Sequence, residues 1–459
     1  MNSAQALAQL WRLAQLPEEA LACARLAGND PVFPSSFAVG TAAQSTIAAA
    51  ALAACELGHM RGTPRQQVSV DLAHAAAECL AWFSIDGRVP DPWDKFSGLY
   101  RTRDGWVRIH ANFAHHRDGA LRLLGLDPAT AERKDAEQAL LGWDALAFEQ
   151  AAADAGLVAA ALRSFAQWDA TAQAQAIAGQ ALFTITRIGD AAPLAMPPLR
   201  DDQRPLEGVR VLDLTRILAG PVGGRALAAY GADVMLVNAP HLPNIEAIAD
   251  TSRGKRSALV DLCAAEGRAA MDALLREAHV FIQGYRPGAL QRLGYGPREA
   301  SEARPGIVYV SLTAYGTQGP WSQRRGFDSL VQTAIGFNQA EAEAAGDASK
   351  PKPMPMQILD EATGYLIAFG AAAALARQQQ QGGSWHVQVS LAQTAHWLRQ
   401  LGRVENGFAV KAPALEPWLE SSPSGFGELR GVRHSARLSR TPAAWTRPSV
   451  PPGGSPPHW

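Results

Sequence analysis

The chain has 459 residues, 47% of them hydrophobic, with 42 basic against 43 acidic side chains. That length supports a large core and two or more domains, and a net charge of −1 gives no electrostatic footing for nucleic acid or an anionic membrane. Cys23, Cys55, Cys79 and Cys263 form no CxxC pair and read as buried free thiols of a reducing compartment. Residues 1–16 lack the basic start and apolar run of a signal peptide, and the apolar run 47–57 is too short for a bilayer, so the expected location is the cytoplasm.

In chain order, residues 1–26 predict one or two short helices. Residues 37–57 predict a long Ala-rich helix, nearly uncharged and therefore buried on most sides. A strand at 67–72 and a helix at 73–83 follow. Residues 98–110 read as a hairpin turning at Arg103-Asp104-Gly105. Helical stretches are expected at 117–124, 133–141, 143–155 and 157–167, and the proline-bearing stretch 191–206 reads as a linker.

Residues 206–240 carry the plainest unit in the chain. A buried strand at 209–214, a break at Ala219-Gly220-Pro221, a helix at 222–230 closed by Gly231 and a strand at 232–237 make a βαβ unit. Such a unit implies a parallel sheet whose ligands sit beyond the carboxyl ends of the strands, so the loop 215–221 should face a ligand. The dinucleotide fingerprint GxGxxG is absent. Further strands are expected at 257–262, 279–283, 307–312 and 386–390. Helices are expected at 264–277, 287–293, 329–337 and 359–377, with a mobile polar loop at 340–355. By composition, residues 421–459 read as a disordered tail. The fold class is α/β: a Rossmann-like parallel sheet in a large domain of residues 206–400, and a smaller α+β domain at 95–200. An N-terminal helical segment, 1–94, and a closing segment, 401–459, flank them.

An internal repeat links the two ends of the chain. Val68, Val70, Leu72 and Ala73 correspond to Val387, Val389, Leu391 and Ala392 at a constant offset of 319, which places Thr41 opposite Asp360.

Asp360, in QILDEATGY, stands at the start of the last long helix. It suits an N-cap, whose side chain accepts free amides, and equally a carboxylate nucleophile that carries an acyl group as an anhydride. Lys255-Arg256 reads either as a solvated surface pair or as a phosphate holder. Tyr285 and Tyr315 follow strands and so fall at the ligand end of the sheet. His110, His115 and His116 have no carboxylate or thiol to complete a metal set, and none is assigned. GxSxG, P-loop and HExxH motifs are absent.

Taken together, LEGVRVLDLTRILAGP, SRGKRSALVDL, GYRPGALQRLGYG, VYVSLTAYGTQGPW, RRGFDSLVQTAIGF and the helix from Asp360 to VQVSLAQ resemble the class III CoA-transferases in family order. That family (CaiB/BaiF) includes formyl-CoA and carnitine-CoA transferases and α-methylacyl-CoA racemases. GLYRTRDGWVRIHANF resembles the opening of the family's small domain and VRHSARLSRTPAAWTRPSVPPGG its closing segment. The order is rearranged, as if the back half of one copy were joined to the front half of another. The resemblance implies a closing segment packed on the large domain rather than disordered. It also implies transfer of CoA from an acyl-CoA to a carboxylic acid, with no permanently bound cofactor. Asp360 would be the nucleophile, passing through an aspartyl anhydride and an aspartyl-CoA thioester, and amides at its helix start would hold the oxyanion. It places Leu218, Ala219, Lys255, Arg256, Tyr285, Ala289 and Arg292 near CoA and Tyr315 near the acyl group. Thr41 cannot act as Asp360 does, so one active site per chain is expected. Asn238 stands where the family has an acidic residue, Gly284 where it has Asn or Glu, and Phe327 where racemases carry a histidine. An acyl-CoA isomerase or racemase ranks second, because Phe cannot exchange a proton, and a CoA-binding subunit without turnover is the non-enzymatic alternative. Family members form interlocked dimers, which leaves open a homodimer or a single-chain pseudo-dimer.

Overall fold

The apolar runs between residues 183 and 390 assemble into one seven-stranded sheet, and the two Ala-rich helices lie against each other behind it. The computed structural model describes residues 1–459. The N-terminal segment comprises α1 (Ser3–Ala14), β1 (Ala24–Ala27), α2 (Val39–Met60), β2 (Val68–Asp71), α3 (Leu72–Glu78) and β3 (Phe83–Ile85). β1, which the sequence reading absorbed into a helix, pairs in parallel with β2.

β4 (Gly98–Arg101) and β5 (Trp106–Ile109) form the expected hairpin. β6 (Ala159–Ala161) adds to β5 and occupies part of the stretch read as a helix over 157–167. Glu149 explains the difference: its carboxylate accepts the Ala161 amide at 2.9 Å and pairs with buried Arg163, which fixes an extended backbone there. Around this small sheet lie α4 (Ala114–Leu123), α5 (Arg133–Leu140) and α6 (Ala145–Asp154), followed by α7 (Phe165–Asp169) and α8 (Ala172–Ile177). β7 (Phe183–Gly189), although inside residues 95–200, belongs to the large sheet.

The large sheet continues through β8 (Arg210–Leu214), α9 (Ala219–Ala229), β9 (Asp233–Asn238), α10 (Ile248–Thr251), β10 (Arg256–Leu259), α11 (Ala265–Glu277), β11 (Val280–Gln283), α12 (Pro297–Ala303) and β12 (Val308–Thr313). α13 (Asp328–Ile335), α14 (Phe337–Ala344), α15 (Ile358–Gln381), β13 (Ser384–Ser390) and α16 (Leu391–Leu401) complete it. The strand order is β10-β9-β8-β11-β12-β13-β7, parallel except for β7. The order reverses between β8 and β11, so the carboxyl ends of these two strands flank the crevice that α/β sheets use for ligands. The expected mobile loop at 340–355 begins as α14, whose Glu341 is buried by Ser35 and Ser36. The expected helix at 287–293 is only a 3₁₀ turn, Gln291–Leu293.

The repeat read from sequence is structural. An offset of 319 superposes α2 on α15 and β2 on β13, and α2 packs along α15. α15 is long and apolar enough to cross a bilayer, but it is wholly buried inside the protein. The tail is ordered. β14 (Leu419–Ser424) and β15 (Gly427–Val432) form a hairpin on β3, and β16 (Arg437–Leu438) pairs antiparallel with β2. β16 meets Val68 as β7 meets Val387, so the repeat extends to an antiparallel strand on each copy. Cys263 is exposed, unlike buried Cys55 and Cys79.

Candidate active site

Glycines let two helix starts approach each other at the crevice. A Cβ on Gly364 of α15 would lie 2.6 Å from the Ala219 carbonyl oxygen, and one on Gly223 of α9 would lie 2.9 Å from the Gly364 carbonyl oxygen. Beneath α9, Lys255 Nζ donates to Asp213 Oδ2 at 2.9 Å and to the Pro221 carbonyl at 2.7 Å. Asp213 also accepts the Thr215 hydroxyl at 2.5 Å. A buried ion pair therefore fixes the loop that the βαβ unit presents to a ligand.

Asp360 is not the cap of α15. Gln357 occupies the N-cap position without a side-chain bond, and Asp360 lies within the first turn. The cap comes from a distant element. Asp328, the first residue of α13, accepts the Asp360 amide at 2.9 Å and also the Leu359 amide, and Gln332 donates to its other oxygen at 2.6 Å. The amides expected to hold an oxyanion at this helix start are thus already engaged. Burial, and then the neighbouring Asp328 charge, push the Asp360 carboxyl well above the usual carboxylate range. Asp328 is itself pushed up to about 6 by burial, against the pull of its donors and Arg108.

Asp360 opens onto a cleft of about 390 Å³ and is the only carboxylate lining it. Leu218, Ala219, Tyr285 and Ala289, which the resemblance places near CoA, line the same cleft. Four expected residues do not. Lys255 is fully buried on Asp213. Arg256 pairs with Asp233 at 2.5 Å and donates to the His458 carbonyl at 2.8 Å, held by the tail. Arg292 is exposed outside the lining. Tyr315 packs edge-on against Trp321, with ring centroids 5.0 Å apart, behind the wall formed by Ala314 and Gly326.

Sequence reasoning missed the roof and the cations. Phe113, His115 and His116 of the small domain close over the cleft, and Arg216, Arg286, Arg324 and Arg325 line it. The pair Arg324-Arg325 before Gly326-Phe327-Asp328 was visible in the sequence. The roof was not, because it depends on how the small domain docks. Phe327 stacks on His110 with centroids 3.9 Å apart, so its ring is part of the joint between the domains. No three His, Cys, Asp or Glu side chains are grouped to hold a metal ion.

Residues 206–413 match the profile of CoA-transferase family III. A probable fatty acyl-CoA transferase of Mycobacterium tuberculosis, Rv3272, is 34% identical over 236 residues, which are 48% of this chain and 59% of that protein. An acyl-CoA transferase of Gibberella moniliformis is 29% identical over 377 residues, or 73% of this chain and 66% of that protein. The chain thus spans less than two thirds of either relative. The crystal structure of Rv3272 aligns with a TM-score of 0.40 at 33% identity, covering 43% of this chain and 58% of that one.

Proposed function

We propose that this chain, whose residues 206–413 form a CoA-transferase family III segment, moves CoA from an acyl-CoA thioester to a carboxylic acid, with Asp360 as the nucleophile. The observation that carries this reading is the lone carboxylate of the cleft, set in the first turn of α15 and left free because Asp328 does the capping. The Asp360 carboxylate attacks the thioester carbonyl, the C–S bond breaks, and CoA leaves as thiolate. This gives a mixed anhydride on Asp360. The thiolate attacks the aspartyl carbonyl of that anhydride, releases the first acid as its carboxylate and leaves CoA on Asp360 as a thioester. The acceptor carboxylate then expels the thiolate to form a second anhydride. Attack of the thiolate on the new acyl carbonyl releases the product thioester and regenerates Asp360.

The oxyanion donors suited to these steps are the first-turn amides of α9. Leu218 and Ala219 bring that helix start to the cleft, and no side chain caps it. Preorganised donors of this kind are worth about 3–4 kcal/mol of barrier each.

The N-terminal half-copy stands in for part of a second subunit, because α2 already covers α15. The expected species in solution is therefore a monomer of 48.8 kDa, which light scattering would read directly.

Intact-protein mass after incubation with a panel of acyl-CoAs, with hydroxylamine or borohydride trapping, tests the chemistry. An adduct on Asp360 that is absent from Asp360→Ala is the expected result. CoA binding without any adduct would move the protein to the non-catalytic class.

A further inference from the structure

Five arginines are buried: Arg61, Arg108, Arg163, Arg225 and Arg253. Arg163, Arg225 and Arg253 pair with carboxylates, and Arg61 donates to the Pro197 and Pro205 carbonyls. Arg108, 6% exposed, has neither kind of partner, and its Nε–H is buried with no acceptor. Its guanidinium lies over the Trp93 ring, 5.1 Å from the centroid. A buried cation without a partner costs stability, so packing does not account for it.

The strand accounts for its position. On β5, Val107 and Ile109 enter the core of the small domain. Arg108 and His110 alternate to the opposite face, and Trp93 touches both, with its ring edge-on to His110 at 5.8 Å. That face packs on α13, where His110 stacks on Phe327, the residue before Asp328. The small domain thus delivers a lone cation to the start of α13, beside two buried carboxyl groups of the large domain: Asp328 accepts the Asp360 amide. Burial lowers the Arg108 pKa to about 10, and Asp328 is the one charge that opposes this. In return, Arg108 pulls the Asp328 carboxyl down.

No other group facing the pair offers the same on this side. Gln332 is uncharged, and Glu361, next along α15, is a further buried carboxyl raised by burial. The rings of His110 and His116 are neutral, each lowered to about 3 by burial. Exposed His115 and the cations Arg216, Arg286, Arg324 and Arg325 lie across the cleft, in front of Asp360 rather than behind Asp328.

We propose that Arg108 is a positioning residue for the transfer reaction: it offsets the Asp328 charge, so that Asp360 is a competent nucleophile only while the small domain is seated. This rests on the transfer reading above. Without Arg108, a charge on Asp328 stands uncompensated and disfavours a second charge on Asp360. In Arg108→Gln the acid limb of kcat/KM should therefore move to higher pH by about half to one unit, the size of one nearby charge. Arg108→Met should do the same, and Arg108→Lys should restore the limb. The melting temperature should not fall in the Gln and Met variants, because each removes a buried charge that has no partner.

A rate lowered equally at every pH, with the limb unmoved, would overturn the proposal, since Arg108 would then only shape the joint between the domains. A limb that Arg108→Lys fails to restore would also overturn it. If no acyl-CoA labels Asp360, the transfer reading fails by itself. The coupling is then read from the Asp360 carboxyl titration, followed by NMR on protein carrying isotope-labelled aspartate and assigned against Asp360→Asn. An upward shift in Arg108→Gln supports the coupling, and an unmoved titration overturns it.

Discussion

α2 and α15 run side by side, correspond through the 319-residue repeat, and have their first turns held by an aspartate from elsewhere in the chain. At α2, Asp30 accepts the amides of Gly40 at 3.1 Å and Thr41 at 2.7 Å. At α15, Asp328 accepts those of Leu359 and Asp360. Capping is thus common to both copies, and the carboxylate at position 360 is an addition to it. The space in front differs as well. Leu72 presses on the α2 start, where a Cβ on Gly40 would lie 2.5 Å from its Cδ2. The corresponding Leu391 lines an open cleft. One copy shows what the helix start needs to be stable. The other carries a carboxylate that stability does not need, whose ionised form both burial and Asp328 disfavour.

The sharpest way to break the comparison is to make the two starts chemically alike. Asp360→Ala should abolish acyl labelling and lower transfer by at least about a thousandfold, as loss of a covalent nucleophile does. It should not lower the melting temperature, because the Asp328 cap remains. Wild type should take up one acyl group per chain by mass, since Thr41 offers no carboxylate; two would show that the α2 start is also a site.

Next in size are substitutions that separate structural charges from ligand-binding ones. Lys255→Met leaves Asp213 buried without its partner and should cost about 3–5 kcal/mol of stability in urea titrations. Were Lys255 a phosphate ligand, the loss would appear in CoA affinity at unchanged stability. Glu78→Ala should cost a similar amount, about 3–5 kcal/mol, because Glu78 joins the half-copy to both other parts of the fold. It accepts the Tyr365 hydroxyl of α15 at 2.7 Å and the Ser435 amide of the tail at 2.7 Å, and lies 2.8 Å from His434 Nδ1. Burial pushes the Glu78 carboxyl up, but His434, Arg225 and the Tyr365 hydroxyl overcome that and hold it far below its ordinary range. Its contribution is therefore fully present at neutral pH and is lost progressively as pH falls from the ordinary glutamate range towards the much lower folded-state value.

These residues also mark where the sequence was legible. The βαβ unit and most of the strands follow from short-range apolar periodicity, and the repeat from matching residues at a constant offset, and neither needs knowledge of neighbours in space. Leu218, Ala219 and Ala289 came from the motif resemblance, Tyr285 and Asp360 also from their places at a strand end and a helix start, and all five line the cleft. Lys255 and Arg256 were misread because a sequence shows a charge but not its partner: Asp213 is 42 residues from Lys255, and the His458 carbonyl that Arg256 reaches is 202 residues away. The cap on Asp360 failed for the same reason, since a local rule cannot see an aspartate supplied from 32 residues upstream. The tail looked disordered because its two-residue strand β16 has no periodicity of its own and is defined only by pairing with β2.

The smallest expected effect concerns the proton rather than the bond. In the proposed transfer the nucleophile is the carboxylate, so the reaction would require Asp360 to lose its proton. Its pKa is raised by burial and then by Asp328, which places the acid limb of the rate profile above the ordinary carboxylate range of about 4. The same raised pKa means that the folded state holds this proton more tightly than the unfolded chain, so the pair subtracts stability as pH rises through that window. Asp328→Asn keeps an oxygen to accept the Asp360 amide but removes the neighbouring negative charge. The Asp360 pKa should then fall, and the acid limb of kcat/KM should move to lower pH by about half to one unit, the size of a single close like-charge interaction. A limb that stays in place would mean that burial alone sets the Asp360 proton. A limb that moves upward would mean that the cap geometry, not the Asp328 charge, governs the nucleophile.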